Sequence, residues 1–121
     1  MPRDVVAVTA LASGAATATP AGVTINTTNG ATLAAIGDGS RVVVRVTNTH
    51  TSDHIITFKA GVNPPALRRG LGDLAETVVK ETDVLFVLET ARFAQADGTI
   101  LVDYATGFTG KISVLKIPKA V

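Results

Sequence analysis

Apolar side chains recur at every second position through RVVVRVTNT, residues 41–49, and again through DHIITFKAG, residues 53–61. Consecutive side chains of a β-strand point to opposite faces, so Val42, Val44 and Val46 share one side while Arg41, Arg45 and Thr47 share the other. In the second run Ile56, Phe58 and Ala60 share a side, with Thr57 and Lys59 opposed to them. Between the two runs lie Thr49, His50, Thr51, Ser52 and Asp53, all short or polar. The pattern therefore predicts two half-buried strands joined as an antiparallel hairpin.

The C-terminal third repeats the theme. DVLFVLE reads as a continuously buried strand, TILVDYA alternates through Ile100, Val102 and Tyr104, and KISVLKI alternates through Ile112 and Val114 before Pro118. Asp97-Gly98, Gly107 and Gly110 punctuate these runs, which predicts three strands joined by tight connections. Upstream, VVAVTAL, GVTIN and ETVVKE read as shorter strands. The count of about eight strands at this spacing predicts an all-β, antiparallel sandwich or barrel. Helix is confined to at most one short turn near residues 90–96, with Thr90 as its cap. GVNPPALRRGLGDL reads as an irregular loop, because Pro64 and Pro65 donate no ladder hydrogen bonds and Gly70 and Gly72 favour turns.

Composition narrows the class. A chain of 121 residues is the size of one domain, so 1–121 reads as a single sandwich with a flexible or extended Ala/Thr/Gly-rich N-terminal arm at about 1–21. Cysteine is absent, which removes disulfides, thiol nucleophiles and thiolate metal sites. Charged residues are 17% of the chain and the net charge is +1, with lysines and arginines scattered among ten carboxylates. That distribution does not make the basic face a nucleic-acid partner requires. No apolar run reaches the ~20 residues of a membrane-crossing helix. The stretch Val5 to Ala18 follows Arg3 as a signal peptide would, but Asp4, Thr9 and Thr17 interrupt it, and it reads as strand plus arm.

Candidate chemistry does not assemble from spacing. His50 and His54 stand four apart beside Asp53, a metal-binding spacing on a helix; in a loop between strands they read as solvated. Ser52, Asp53 and His54 are adjacent and cannot stack as nucleophile, base and orienting group. GLGDL at 70–74 lacks the strand, helix and lysine of a phosphate loop, and GDGS at 37–40 offers one carboxylate where calcium needs several oxygens. Asp73, Glu76, Glu81, Asp83 and Glu89 alternate with lysine and hydroxyl residues as a solvated face does. The expectation is therefore a non-enzymatic protein with no catalytic residue, cofactor or metal.

The strand-closing asparagine of RVVVRVTNT, the stretches FKAGVNPPALRRGLGDL and ETARFAQADGTILVDY, and the ending GKISVLKIP together resemble the small β-sandwich decoration, or cement, proteins of tailed-bacteriophage heads. The resemblance runs from about Gly37 to Pro118 and rests on turns and strands. It implies a jelly-roll-like sandwich on the virion surface, made in the host bacterial cytoplasm, that assembles as a homotrimer on the major capsid protein and stabilises the head. The expected capsid or subunit interface comprises Pro2, Arg3, Val5 and Val6 of the arm, which would pair with a neighbour by strand addition, and Pro64, Pro65, Arg68 and Arg69 of the loop. A tail or head-fibre component, or a carbohydrate-binding or adhesive module, is the alternative.

Overall fold

The computed structural model describes residues 3–34, 41–62, 69–88 and 90–118. Among these described residues are ten strands: β1 (Asp4–Val6), β2 (Val8–Ala10), β3 (Val23–Thr24), β4 (Ala31–Leu33), β5 (Val42–Asn48), β6 (His54–Phe58), β7 (Leu74–Val78), β8 (Asp83–Phe86), β9 (Ile100–Tyr104) and β10 (Gly110–Lys116). The helical elements among the described residues are the single turn α1 (Thr90–Phe93) and a 3-10 turn at Arg69–Leu71. Among the described residues no helix is long and apolar enough to cross a membrane.

The strands form two sheets. The first runs β1-β4-β9-β6-β7; the second runs β2-β10-β5-β8, with β3 also on β10. Leaving aside β1 and β2, the layers are β4-β9-β6-β7 and β3-β10-β5-β8, every ladder antiparallel. Eight strands in this order are a jelly roll. The expected all-β sandwich of jelly-roll type and its single helical turn are thus present. Onto that roll the N-terminal segment adds two parallel ladders, β1 on β4 and β2 on β10.

The pairing of neighbours in sequence differs from the expected hairpin. β5 lies in the second sheet between β10 and β8, whereas β6 lies in the first between β9 and β7. Residues 49–53 cross from one layer to the other. The alternation is right for both strands, since Val42, Val44, Val46, Ile56 and Phe58 are all buried. They meet across the core instead of side by side, and alternation cannot separate those two cases. β8, β9 and β10 likewise alternate between sheets. Phe58 in the first sheet and Phe86 in the second meet in a T-shaped arrangement, 4.9 Å between centroids.

Other boundaries move for physical reasons. VVAVTAL is two strands, because the chain leaves the first sheet after Val6 and joins the second at Val8. DVLFVLE is not buried throughout: β8 is the edge strand of its sheet, and Leu85 and Val87 are exposed. The strand expected at ETVVKE begins at Leu74 and stops at Val78, before a turn in which Glu81 takes a positive φ of 57°. β4, in NGATLAA, has too short an apolar alternation to predict, yet Ala31 and Leu33 are buried in the core.

Candidate functional site

The two outer faces of the roll differ in chemistry. On the first sheet the outward positions are mixed: Thr32, Thr57, Thr77 and Asp103 stand among Leu101 and Ile55, the latter 45% exposed. Ion pairs cap this face: Arg3 Nη1 to Asp103 at 2.6 Å and Lys59 Nζ to Asp73 at 2.9 Å. Asp73 also accepts the Ala60 N–H, and this bond together with that from Lys59 holds its carboxyl below the usual aspartate range. Its hydrogen bond in turn raises Lys59.

The outward face of the second sheet is aliphatic at one end. Leu115 of β10 lies opposite Val43 of β5, and Leu85 of β8 lies opposite Arg45. Val87 and Ile117 continue the same sides just past β8 and β10. Leu85 is 67% exposed and Val87 66%, with Ile117 also exposed. The strip ends at the ion pair Arg45 Nη2 to Asp83, 2.7 Å, and that hydrogen bond is the main reason the Asp83 carboxyl is lowered. β8 pairs only with β5 among the described residues, so among them its far edge of backbone N–H and C=O groups has no partner strand beside the exposed leucine.

Of the residues expected at an interface, Arg3, Val5 and Val6 fall on the N-terminal edge. Val6 points into the core, Val5 points out at 67% exposure, and Arg3 clamps β1 by donating to the Val102 carbonyl at 2.7 Å as well as to Asp103. Gly30 makes the clamp possible, because a Cβ there would stand 2.6 Å from both Arg3 Nη1 and the Val102 oxygen. The backbone of Arg69 opens the 3-10 turn. Pro2, Pro64, Pro65 and Arg68 lie outside the described residues. Where the N-terminal segment changes sheets, a cleft of about 200 Å³ opens between Val6, Ala7, Pro20 and Ser113.

At the end of the roll where β5 crosses to β6, Asn48 is buried and fully engaged. Its Nδ2 donates to the carbonyls of Ser52 and Val78, and its Oδ1 accepts the His50 N–H. His50 and His54, expected to be solvated, are instead half-buried and 3.1 Å apart between Nδ1 and Nε2, with His54 stacked on Phe108. The four-residue spacing signals a histidine pair only on a helix; here the meeting depends on the turn that Asn48 organises.

No protein-family model matches the chain, and neither a curated protein nor a solved structure matches it. The surfaces themselves therefore carry the functional reading. The chain's five aromatic residues all pack inward: Phe58, Phe93, Phe108 and Tyr104 are buried and Phe86 lies against the core. None stands out as a ring on which a sugar could stack.

Proposed function

We propose that this chain is a structural, non-enzymatic protein that docks on the outside of a tailed-phage head as a homotrimer and reinforces the shell, meeting the major capsid protein through the outer face of its second sheet. The observation that carries this reading is the aliphatic strip Val43, Leu85, Val87, Leu115 and Ile117 beside the edge of β8 that no described strand pairs. Covering a leucine or valine at an interface returns roughly 1.5–3 kcal/mol when burial is complete. A strip of several such side chains next to an open strand edge offers both apolar contact and main-chain pairing.

The fold supports the reading in a general way, since jelly rolls occur in capsid and lectin domains. The resemblance of Gly37 to Pro118 to phage decoration proteins directs it to a capsid. The inward packing of all five aromatic residues favours the capsid over the carbohydrate-binding alternative. Incubating the purified chain with undecorated phage heads and imaging them tests the proposal: density at regular lattice positions is expected, and bare shells would overturn it. The mass of the free protein in solution tests the trimer separately.

A further inference from the structure

The crossing from β5 to β6 brings the chain's two histidines together. His54 Nε2 lies 3.1 Å from His50 Nδ1, with ring centroids 4.7 Å apart and planes at 70°. Both rings are held from outside the pair. His54 is the first residue of β6 and stacks on Phe108 at 5.6 Å, while Gly107 leaves room behind it: a Cβ there would stand 3.2 Å from His54 Cε1. The backbone of His50 is fixed by its N–H bond to Asn48 Oδ1 at 2.9 Å, and Asn48 is anchored in turn to Ser52 and Val78.

The protons can be assigned. The Ser52 N–H donates to His50 Nδ1 at 3.2 Å, so that nitrogen carries a lone pair and the contacting Nε2 of His54 carries the hydrogen. A metal ion bound to both nitrogens would sit to one side of the line between them, after the hydrogen has left Nε2 and the rings have turned slightly toward it. Metal–imidazole bonds are about 2.0–2.1 Å, and two of them spanning this separation meet at about 100°, between the square-planar and tetrahedral angles.

We propose that His50 Nδ1 and His54 Nε2 chelate a divalent transition-metal ion of the Zn²⁺, Ni²⁺ or Cu²⁺ type. Imidazole nitrogen suits these ions, whereas Mg²⁺ and Ca²⁺ require oxygen ligands. On binding, the His54 hydrogen moves through solvent from Nε2 to Nδ1 of the same ring, which stays neutral, and the exposed Ser52 N–H turns to water. Among the described residues no group of three or more His, Asp or Glu converges, so two imidazoles supply the protein's share and the other positions are left for water or for a donor from a neighbouring molecule. The ion staples residues 49–53 to β6 at the point where the two sheets are joined. Because it binds the folded arrangement, it raises thermal stability.

The test uses the full chain in chelator-free buffer, titrated calorimetrically with ZnCl₂ and with NiCl₂, and followed by thermal melts and by the ¹⁵N shifts of the imidazole nitrogens. One ion per chain is expected, with a melting temperature that rises with ion concentration, no response to MgCl₂, and Zn²⁺-induced shifts at His50 Nδ1 and His54 Nε2. His50→Gln and His54→Gln, which keep polar groups in place, should each weaken binding roughly tenfold or more. Absence of saturable binding, affinity in both variants unchanged from that of the unmodified chain, or unshifted ring nitrogens in the unmodified chain would overturn the proposal. If either variant fails to fold, the ring shifts of the unmodified chain decide alone.

Discussion

Asn48 Nδ2 donates to the Val78 carbonyl at 3.0 Å and thereby ties the end of β5 in one sheet to the end of β7 in the other. The same amide reaches Ser52, its oxygen takes the His50 N–H, and its backbone N–H bonds the Thr82 carbonyl. One buried side chain thus completes the backbone hydrogen bonding of two crossings between layers. Asn48→Ala removes three hydrogen bonds at a buried position, to Ser52, Val78 and His50, and should cost about 3 kcal/mol. Asn48→Asp should cost at least as much, because a carboxylate has no hydrogen to offer the two carbonyls. Urea denaturation measures both, and a loss below about 1 kcal/mol for the alanine variant would remove Asn48 from this role.

The strands were legible because burial enforces a period of two, and Val42, Val44, Val46, Ile100, Val102, Ile112 and Val114 are all buried as that period requires. Pairing was not. In this jelly roll most strands adjacent in sequence lie in opposite layers, β6 and β7 being a pair that does not, and a valine facing a partner across the core has the same periodicity as one beside it. Edge status was equally hidden: DVLFVLE has the composition of an interior strand, and only the position of β8 at the margin of its sheet exposes Leu85 and Val87. That misreading concealed the principal candidate surface. Arg3 and Val5 were singled out at a surface position, but the ion pair of Arg3 with Asp103 spans a hundred residues and leaves no local trace.

Gly110 opens β10 with a φ of 149°, and a Cβ at this position would run into the Thr47 carbonyl oxygen of the paired strand. Gly61 is equally confined beneath the Ala94 carbonyl. Neither obstacle is a flexible side-chain tip; each is backbone. Gly110→Ala should therefore lower stability by about 2–4 kcal/mol. Gly70→Ala is the control, since a Cβ there meets nothing. Comparable unfolding midpoints for the two variants would show that the β10 ladder can shift to make room.

Acid should unfold the protein through its bonded aspartates. The carboxyls of Asp73, Asp83 and Asp97 are all lowered, first by the Ala60 N–H, by Arg45 and by the Thr99 hydroxyl respectively. A carboxyl depressed in the folded state contributes stability that is present above the unfolded value, near 3.8, and is lost as pH falls through the lower folded value. Unfolding midpoints should consequently drop below about pH 4. Lys59 has the opposite sense: its raised value gives a contribution complete below 10.5 and lost as pH rises through the folded value. Asp73→Asn should flatten both limbs, because it removes the charge that Lys59 bonds. An unchanged acid limb in that variant would assign acid sensitivity to other groups.

The last prediction separates binding from folding. Leu85 and Val87 are exposed on the outer face of β8 and its continuation, so replacing them removes little from the core. Leu85→Lys and Val87→Glu should each leave stability within about 0.5 kcal/mol of the parent. On the capsid the same changes place a charge where apolar area is to be covered, and the loss of burial and the desolvation of the new charge act together. Occupancy of phage heads by the double variant should fall at least tenfold, while Thr77→Lys on the outer face of the first sheet should leave occupancy unchanged. Undiminished decoration by the Leu85→Lys, Val87→Glu protein would move the contact away from this sheet. The β1 edge around Val5 and Arg3 would then be the surface to alter next, and Val5→Lys would read it out in the same assay.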